Sequence, residues 1–259
     1  MLTRADLTGD LRTLGLRPGD AVMVHTAFRR IGPVLGGPDA LVGALLDAVS
    51  PGGTVLAYTD WQAPCDGEPV PAELRDHVLG FDAATSRAIR DHGVVPEFLR
   101  TTPGALRSAS PGASVAALGA DAAWFTADHP LDYGYGPGSP LAKLVARGGK
   151  VAMVGAPWDT MTLLHHAEHL ADLPGKRVAR SEVPFATAGG VVWRWVEEFD
   201  TADPVVEEFD EDYFAAVVDA FVTAGGGTRG TVGRADTLVV DAAGMCAFAV
   251  AWMEQRAGR

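Results

Sequence analysis

The sequence predicts one α/β domain over residues 1–259, built on a mixed sheet. Short apolar runs that read as buried strands alternate with segments of helical period. Scattered glycines and prolines mark the turns, and no linker, low-complexity tract or internal repeat divides the chain. With 47% hydrophobic residues and a mean hydropathy of +0.11, the apolar material suffices for a large core.

Leu7, Leu11 and Leu14 recur at helical spacing behind Thr3 as a cap, and Arg17-Pro18-Gly19-Asp20 makes a turn. Residues 21–24 then form an apolar run ending at His25, which reads as a strand. Residues 26–37 read as a polar loop, and Pro38 opens a helix to Val49 as a first-turn proline does. A second strand covers 54–58 and runs into Asp60 and Trp61. The polar stretch 62–81 is long for a connector, so a lid or binding wall is expected there. Helical stretches follow at 86–92 and 94–100, and Ser139-Pro140 starts another helix. Residues 150–154 form a strand, and Thr160 is expected to cap a helix reaching Leu173 before Pro174-Gly175. Residues 191–199 read as a strand of a hairpin turned at Gly189-Gly190, and 212–223 and 241–255 as helices. Several of these connections suit antiparallel neighbours, hence the mixed sheet.

Charge and cysteine content narrow the function. Acidic residues outnumber basic ones 33 to 21, for a net charge of −12, which argues against nucleic acid and suits a cationic ligand. Apolar stretches such as 242–252 are shorter than the roughly 20 residues that cross a bilayer, and the N-terminal region lacks the pattern of a secretory signal. A cytoplasmic protein without membrane contact, monomeric or homodimeric, is expected. Cys65 and Cys246 sit in no metal-type or redox-type pair and read as idle thiols.

The densest chemical constellation is Thr162-Leu163-Leu164-His165-His166-Ala167-Glu168-His169. His165 and Glu168 lie three apart on one helix face, so the carboxylate can hold one ring nitrogen while the other serves as a base. His165 and His169 have the spacing of zinc helices. The metalloprotease pattern, however, needs Glu directly after the first His, where His166 stands. A second constellation is Thr26-Ala27-Phe28-Arg29-Arg30-Ile31-Gly32, where paired arginines and backbone amides could hold a pyrophosphate. Val34 breaks its near-match to the CoA-binding pattern of the large N-acetyltransferase superfamily. A third is acidic: Glu197, Glu198 and Asp200, then Asp203, Glu207, Glu208 and residues 210–212, with Asp60 at an earlier strand end. Walker-type and nucleophile-elbow motifs are missing, which leaves chemistry that needs a base and a bound acyl carrier.

Seven motifs in order carry a family resemblance. They are Val24-His25-Thr26, Gly36-Gly37, Gly52-Gly53-Thr54, His129-Pro130-Leu131-Asp132-Tyr133-Gly134, residues 138–144, residues 162–168 and Glu198-Phe199-Asp200-Thr201. Together they resemble the aminoglycoside 3-N-acetyltransferases, and in detail the subgroup that acetylates gentamicin-type drugs. The resemblance implies a three-layer α/β/α arrangement distinct from the large N-acetyltransferase superfamily. It also implies acetyl-CoA as donor, the 3-amine of a 2-deoxystreptamine ring as acceptor, and antibiotic resistance as outcome.

The family's catalytic pair corresponds to His165 and Glu168, and its acidic substrate pair to Glu198 and Asp200, beside which Asp60 and Glu197 are expected. CoA contacts correspond to His25, Thr26, Arg29, Arg30, Ile31 and Gly32, and to Arg107 and Ser108. Thr162 or a backbone amide near Gly32 is expected to donate to the oxyanion. Ala109-Ser110-Pro111 stands where many relatives carry a histidine before the proline. A metal-assisted hydrolase and a protein that only sequesters the drug stay open as alternatives.

Overall fold

The computed structural model describes residues 1–61, 70–200 and 204–258. Cys65, Asp203 and the first part of the expected wall, residues 62–69, lie outside the described residues.

The first helix, α1 (Arg4–Thr13), starts on a capping box. The Thr3 hydroxyl accepts from the Asp6 amide, and the Asp6 carboxylate accepts from the Thr3 amide. It buries Leu7 and Leu11. Strand β1 (Ala21–Thr26) follows, then a single turn α2 (Phe28–Ile31) inside the stretch expected as loop, then α3 (Gly37–Val49) with proline in its first turn. Next come β2 (Thr54–Tyr58), α4 (Val95–Thr101), β3 (Leu106–Arg107), β4 (Val115–Gly119), α5 (Ala122–Thr126) and α6 (Pro140–Ala146). The chain continues through β5 (Lys150–Val154), α7 (Leu163–Leu170), β6 (Val178–Thr187), β7 (Gly190–Phe199), α8 (Tyr213–Thr223), β8 (Thr228–Val232), β9 (Ala235–Asp241) and α9 (Ala242–Arg256).

A seven-stranded sheet runs β3-β4-β2-β1-β5-β9-β8. Its centre, β2-β1-β5, is parallel, and every outer pairing is antiparallel. The sheet is therefore mixed, as the sequence predicts. Strand alternation splits the core between its faces. Ala21, Met23 and Leu56 pack with Leu163, Leu164 and Val217 on one face, and Val22, Val24 and Val55 pack with Leu7, Leu45 and Leu99 on the other.

Strands β6 and β7 form a separate two-stranded hairpin, closed by a two-residue turn between Thr187 and Gly190. Residues 70–81, the described part of the expected wall, dock on it. Phe81 bridges to Phe185, and Arg75 reaches Glu182 at 2.9 Å.

Two helix expectations are corrected. Residues 86–92 hold only a 3-10 turn at Arg90–His92, because distant groups take the backbone partners a helix would use: Arg107 donates to the Ser86 carbonyl, the Ala88 amide donates to Glu97, and the Ile89 amide donates to the Asp60 carbonyl. Thr160 caps no α-helix. It ends a 3-10 turn, its hydroxyl donates to the Pro157 carbonyl at 2.7 Å, and α7 begins three residues later and stops at Leu170. Among the described residues, no helix is long and apolar enough to cross a membrane.

Candidate active site

The carboxyl ends of the three parallel strands open into one cavity, the usual position of a ligand site in an α/β sheet. Residues 24–27 at the end of β1, Tyr58 at the end of β2, and Ala156 and Pro157 after β5 line a space of about 410 Å³. Thr162, His165 and Phe214 form its opposite wall, with His92 and Gly93 closing the side toward α4.

His165 stands there with its geometry set on every side. Its Nδ1 lies 2.7 Å from Glu168 Oε2. A carboxylate only accepts, so Nδ1 carries the proton and the lone pair of Nε2 is left as the base. Glu168 is 3% exposed, and its second oxygen accepts from the Tyr213 hydroxyl. Burial, followed by the neighbouring Glu168 charge, pushes the Tyr213 phenol well above its ordinary value, so it stays a donor. The His165 ring is clamped between Tyr135 at 4.8 Å and Phe214 at 4.9 Å. Thr162 is nearly buried and faces the same cavity.

The expected carboxylates lie elsewhere. Asp60 does not line the cavity; its Oδ1 sits 2.6 Å from Nε2 of His92, which does. Glu198, near the end of β7, accepts from His169 Nε2 at 2.8 Å, from the Phe199 amide at 2.8 Å and from the Tyr135 amide at 3.3 Å. It thus adjoins the cavity through Tyr135. Glu197 reaches Arg180 at 3.5 Å, and Asp200 reaches Arg177 at 3.9 Å. His165 and His169, the pair with zinc-helix spacing, each engage a different carboxylate.

The expected CoA contacts divide into three groups. His25 and Thr26 line the same cavity as His165, and both carry a buried polar atom, Nε2 and Oγ1, without a hydrogen-bond partner among the described residues. Arg30 lines a second cavity of about 870 Å³ together with Arg229 and Arg234, and the two cavities meet at Ala156 and Pro157. Gly32 and Gly155 shape this junction. Gly32 has φ +98°, and a Cβ there would meet Arg234 Cδ at 3.3 Å. Gly155 has φ +67°, and its Cβ would sit 3.1 Å from both Arg30 and Ala235. Arg29 is exposed on α2, and the Ile31 side chain is fully buried in the core beneath it.

Arg107 and Ser108 face inward instead. The Arg107 guanidinium donates to the Ser86 and Thr59 carbonyls and to the Ser114 hydroxyl, and burial lowers its pKa to about 10. Ser108 is fully buried between the Val115 amide and His129 Nδ1. Their side chains tie the β3–β4 region together, and neither lines either cavity. Sequence reasoning missed Arg229 and Arg234, because β8 and β9 carry no strand signal strong enough to place them beside Arg30. It also missed the aromatic clamp of Tyr135 and Phe214 and the Tyr213 hydroxyl that donates to Glu168. Cys246 is buried away from the site, its thiol pushed up to about 11 by burial.

Comparison with known proteins identifies the family. The family model described as aminoglycoside 3-N-acetyltransferase matches residues 23–254. Aminoglycoside N(3)-acetyltransferase III of Pseudomonas aeruginosa is 46% identical, covering 99% of this chain and 95% of its own. Aminoglycoside N(3)-acetyltransferase VII of Streptomyces paromomycinus is 44% identical, covering 100% and 93%. Among solved structures, AAC-IIIb in binary complex with CoASH superposes with TM-score 0.95 at 62% identity, covering 98% of this chain and 97% of that one. AAC-VIa bound to sisomicin superposes with TM-score 0.93 at 36% identity, covering 98% of each. These acetyltransferases share the mixed-sheet fold described above and not that of the large N-acetyltransferase superfamily. The chain belongs to the aminoglycoside 3-N-acetyltransferase family, and it is an acyltransferase that uses acetyl-CoA.

Proposed function

We propose that this enzyme acetylates the 3-amine of gentamicin- and tobramycin-type aminoglycosides by direct transfer from acetyl-CoA within a ternary complex, with His165 as general base. The observation that carries the reading is the His165–Glu168 pair, held with Nε2 free at the cavity where the parallel strands end. His165 takes a proton from the acceptor amine as its lone pair attacks the thioester carbon, and Glu168 stabilises the imidazolium that forms. The carbon–sulfur bond breaks, its electron pair leaves on sulfur, and the resulting thiolate is reprotonated. Neither cysteine lies in a matched motif, so no acyl-enzyme is invoked.

The residues present fit the donor. Arg30, Arg229 and Arg234 give the larger cavity three cationic heads for the CoA phosphates, and the junction at Ala156 and Pro157 leads from there to His165. In this reading Arg229 and Arg234 join Arg30 on the donor, in place of the CoA contacts expected at Arg107 and Ser108. Solution assays of CoA thiol release with gentamicin, tobramycin and amikacin, with the product located by NMR, test the whole reading. Gentamicin and tobramycin are expected to turn over, and amikacin, whose 1-amine carries a bulky chain, to be the poorer substrate. Crowding beside the reacting amine costs rate, since a displacement of about 1 Å is worth roughly 10²-fold. Acetylation at another nitrogen, or amikacin turned over as well as gentamicin, would contradict the specificity.

Glu198 and Asp200, near the end of β7, supply negative charge for the drug's ammonium groups in this reading. Converting both to amides is expected to raise the Michaelis constant for the drug well above any change for acetyl-CoA. Drug binding should also weaken with salt, because exposed charges are screened beyond about 10 Å at 0.1 M. An equal effect on both substrates would make the two carboxylates structural.

A further inference from the structure

The acetyl-transfer reading supplies a base for the amine but leaves the thioester oxygen without a named partner. Strand alternation places one. Ala21 and Met23 of β1 lie in the apolar cluster that contains Leu163 and Leu164 of α7 and Val217 of α8. His25 continues that odd-numbered series, so it faces the side of the sheet from which His165 projects. It lines the same cavity as His165, at the end of the central strand and opposite Met153 of β5. Its Nε2 is buried and has no hydrogen-bond partner among the described residues.

A buried polar ring nitrogen without a partner is rare in a folded protein and calls for a reason, of which a ligand atom is one. The reason here is chemical as well as geometric. Burial, and then the neighbouring His92, lower the His25 pKa to about 3, so the ring is neutral throughout the working range of the enzyme. A neutral imidazole carries one N–H, loses no proton at neutral pH and cannot compete with His165 for the proton of the amine. The neighbouring His92 in turn places its Nε2 2.6 Å from Asp60 Oδ1. Such preorganised donors act when charge develops on an oxygen, and they need no rearrangement at that moment.

We propose that His25 is a catalytic residue of the acetyl transfer, its ring N–H donating to the thioester carbonyl oxygen as negative charge builds there. The proposal rests on the acetyl-transfer reading. In the step, the amine nitrogen bonds to the carbonyl carbon, its proton passes to His165, the carbon–sulfur bond breaks and sulfur departs with the electron pair. His25 keeps its own proton throughout. This makes it distinct from the base, and distinct from Thr162, which lines the same cavity.

Two measurements test this on the intact enzyme, using His25→Ala and His25→Gln with Thr162→Val alongside. Steady-state thiol release should show kcat of His25→Ala lowered by about 10²–10³-fold, the cost of a lost oxyanion donor, by the same factor at every pH from about 6 to 9. Calorimetry should show acetyl-CoA binding within a few fold of wild type, and His25→Gln, which keeps an N–H, should recover part of the rate. Isotope-edited infrared spectroscopy of carbonyl-labelled acetyl-CoA, without drug, gives the second readout. The carbonyl band should move to lower frequency on wild-type enzyme and return toward its solution position on His25→Ala. If the alanine variant fails to fold, the glutamine variant and its band position decide. A kcat within threefold of wild type, a loss that changes with pH, or a band unaffected by His25→Ala but released by Thr162→Val would overturn the assignment. Wild-type enzyme that released no thiol with any aminoglycoside would instead sink the underlying function, a separate outcome.

Discussion

His165→Ala is expected to lower the acetylation rate by roughly 10²–10⁴-fold, the range for a lost general base, while acetyl-CoA still binds. The size follows from how completely the ring is held. Glu168 fixes the tautomer, Tyr213 holds Glu168 from behind, and Tyr135 and Phe214 clamp the ring faces. Alanine removes the Nε2 that the proposed mechanism presents to the amine and leaves the larger cavity lined by Arg30, Arg229 and Arg234 untouched. Single-turnover rates with calorimetric CoA affinities separate the two effects. Wild-type turnover at neutral pH in His165→Ala would refute the base assignment.

The second large effect concerns acid. Three buried histidines are held neutral in the fold, and burial is the leading cause in each: His25 is lowered to about 3, His129 to about 4, and His166 is lowered as well. For His129 the hydrogen bonds say why. Nε2 donates to the Gly134 carbonyl at 2.7 Å, so Nδ1 is left as the acceptor for the Ser108 hydroxyl at 2.8 Å, and a second ring proton would disrupt that contact. All three folded values lie below the unfolded value near 6.5. The unfolded chain therefore takes up protons first, and stability present above pH 6.5 is lost as pH falls toward the folded values. By pH 5 the loss is on the order of 2 kcal/mol for His25 and again for His129, before most carboxylates begin to titrate. Urea unfolding at pH 7.5 and pH 5 tests it by difference, since His129→Gln should lose about 2 kcal/mol less than wild type over that interval. Equal losses in the two proteins would show that His129 is not the group being charged.

Much of the fold was legible because it is written locally. The runs at 21–25, 54–58 and 150–154 are short, apolar and bounded by turn residues, and they became the parallel centre of the sheet. Thr3, Ser139 and Asp241 cap helices through side-chain oxygens, a signal carried within four residues. The hairpin turn near Gly189-Gly190 was equally local. Less legible were β3 and β4, where Leu106-Arg107 is too short and Val115–Gly119 too rich in small residues to read as strands, and β8, whose TRGTV sequence is mostly exposed. These strands owe their existence to pairing partners far away in sequence, which no local pattern records.

The site divides in the same way. His165 and Glu168 meet because three residues of helix bring them to one face, so their partnership could be read from spacing, and the seven ordered motifs identified the family. Which other groups join them is decided by tertiary structure alone. Sheet order sets β1 beside β5 and so puts His25 on the wall facing α7. The hairpin of β8 and β9, paired antiparallel with β5, brings Arg229 and Arg234 to Arg30, about 200 residues earlier in the chain. Asp60 turns to His92 rather than to a ligand, and Arg107 and Ser108 turn inward, because burial obliges polar groups to find partners and the nearest were internal. Residue type and spacing therefore determine which chemistry is available. Close packing of strands distant in sequence determines which of those residues face the reacting atoms.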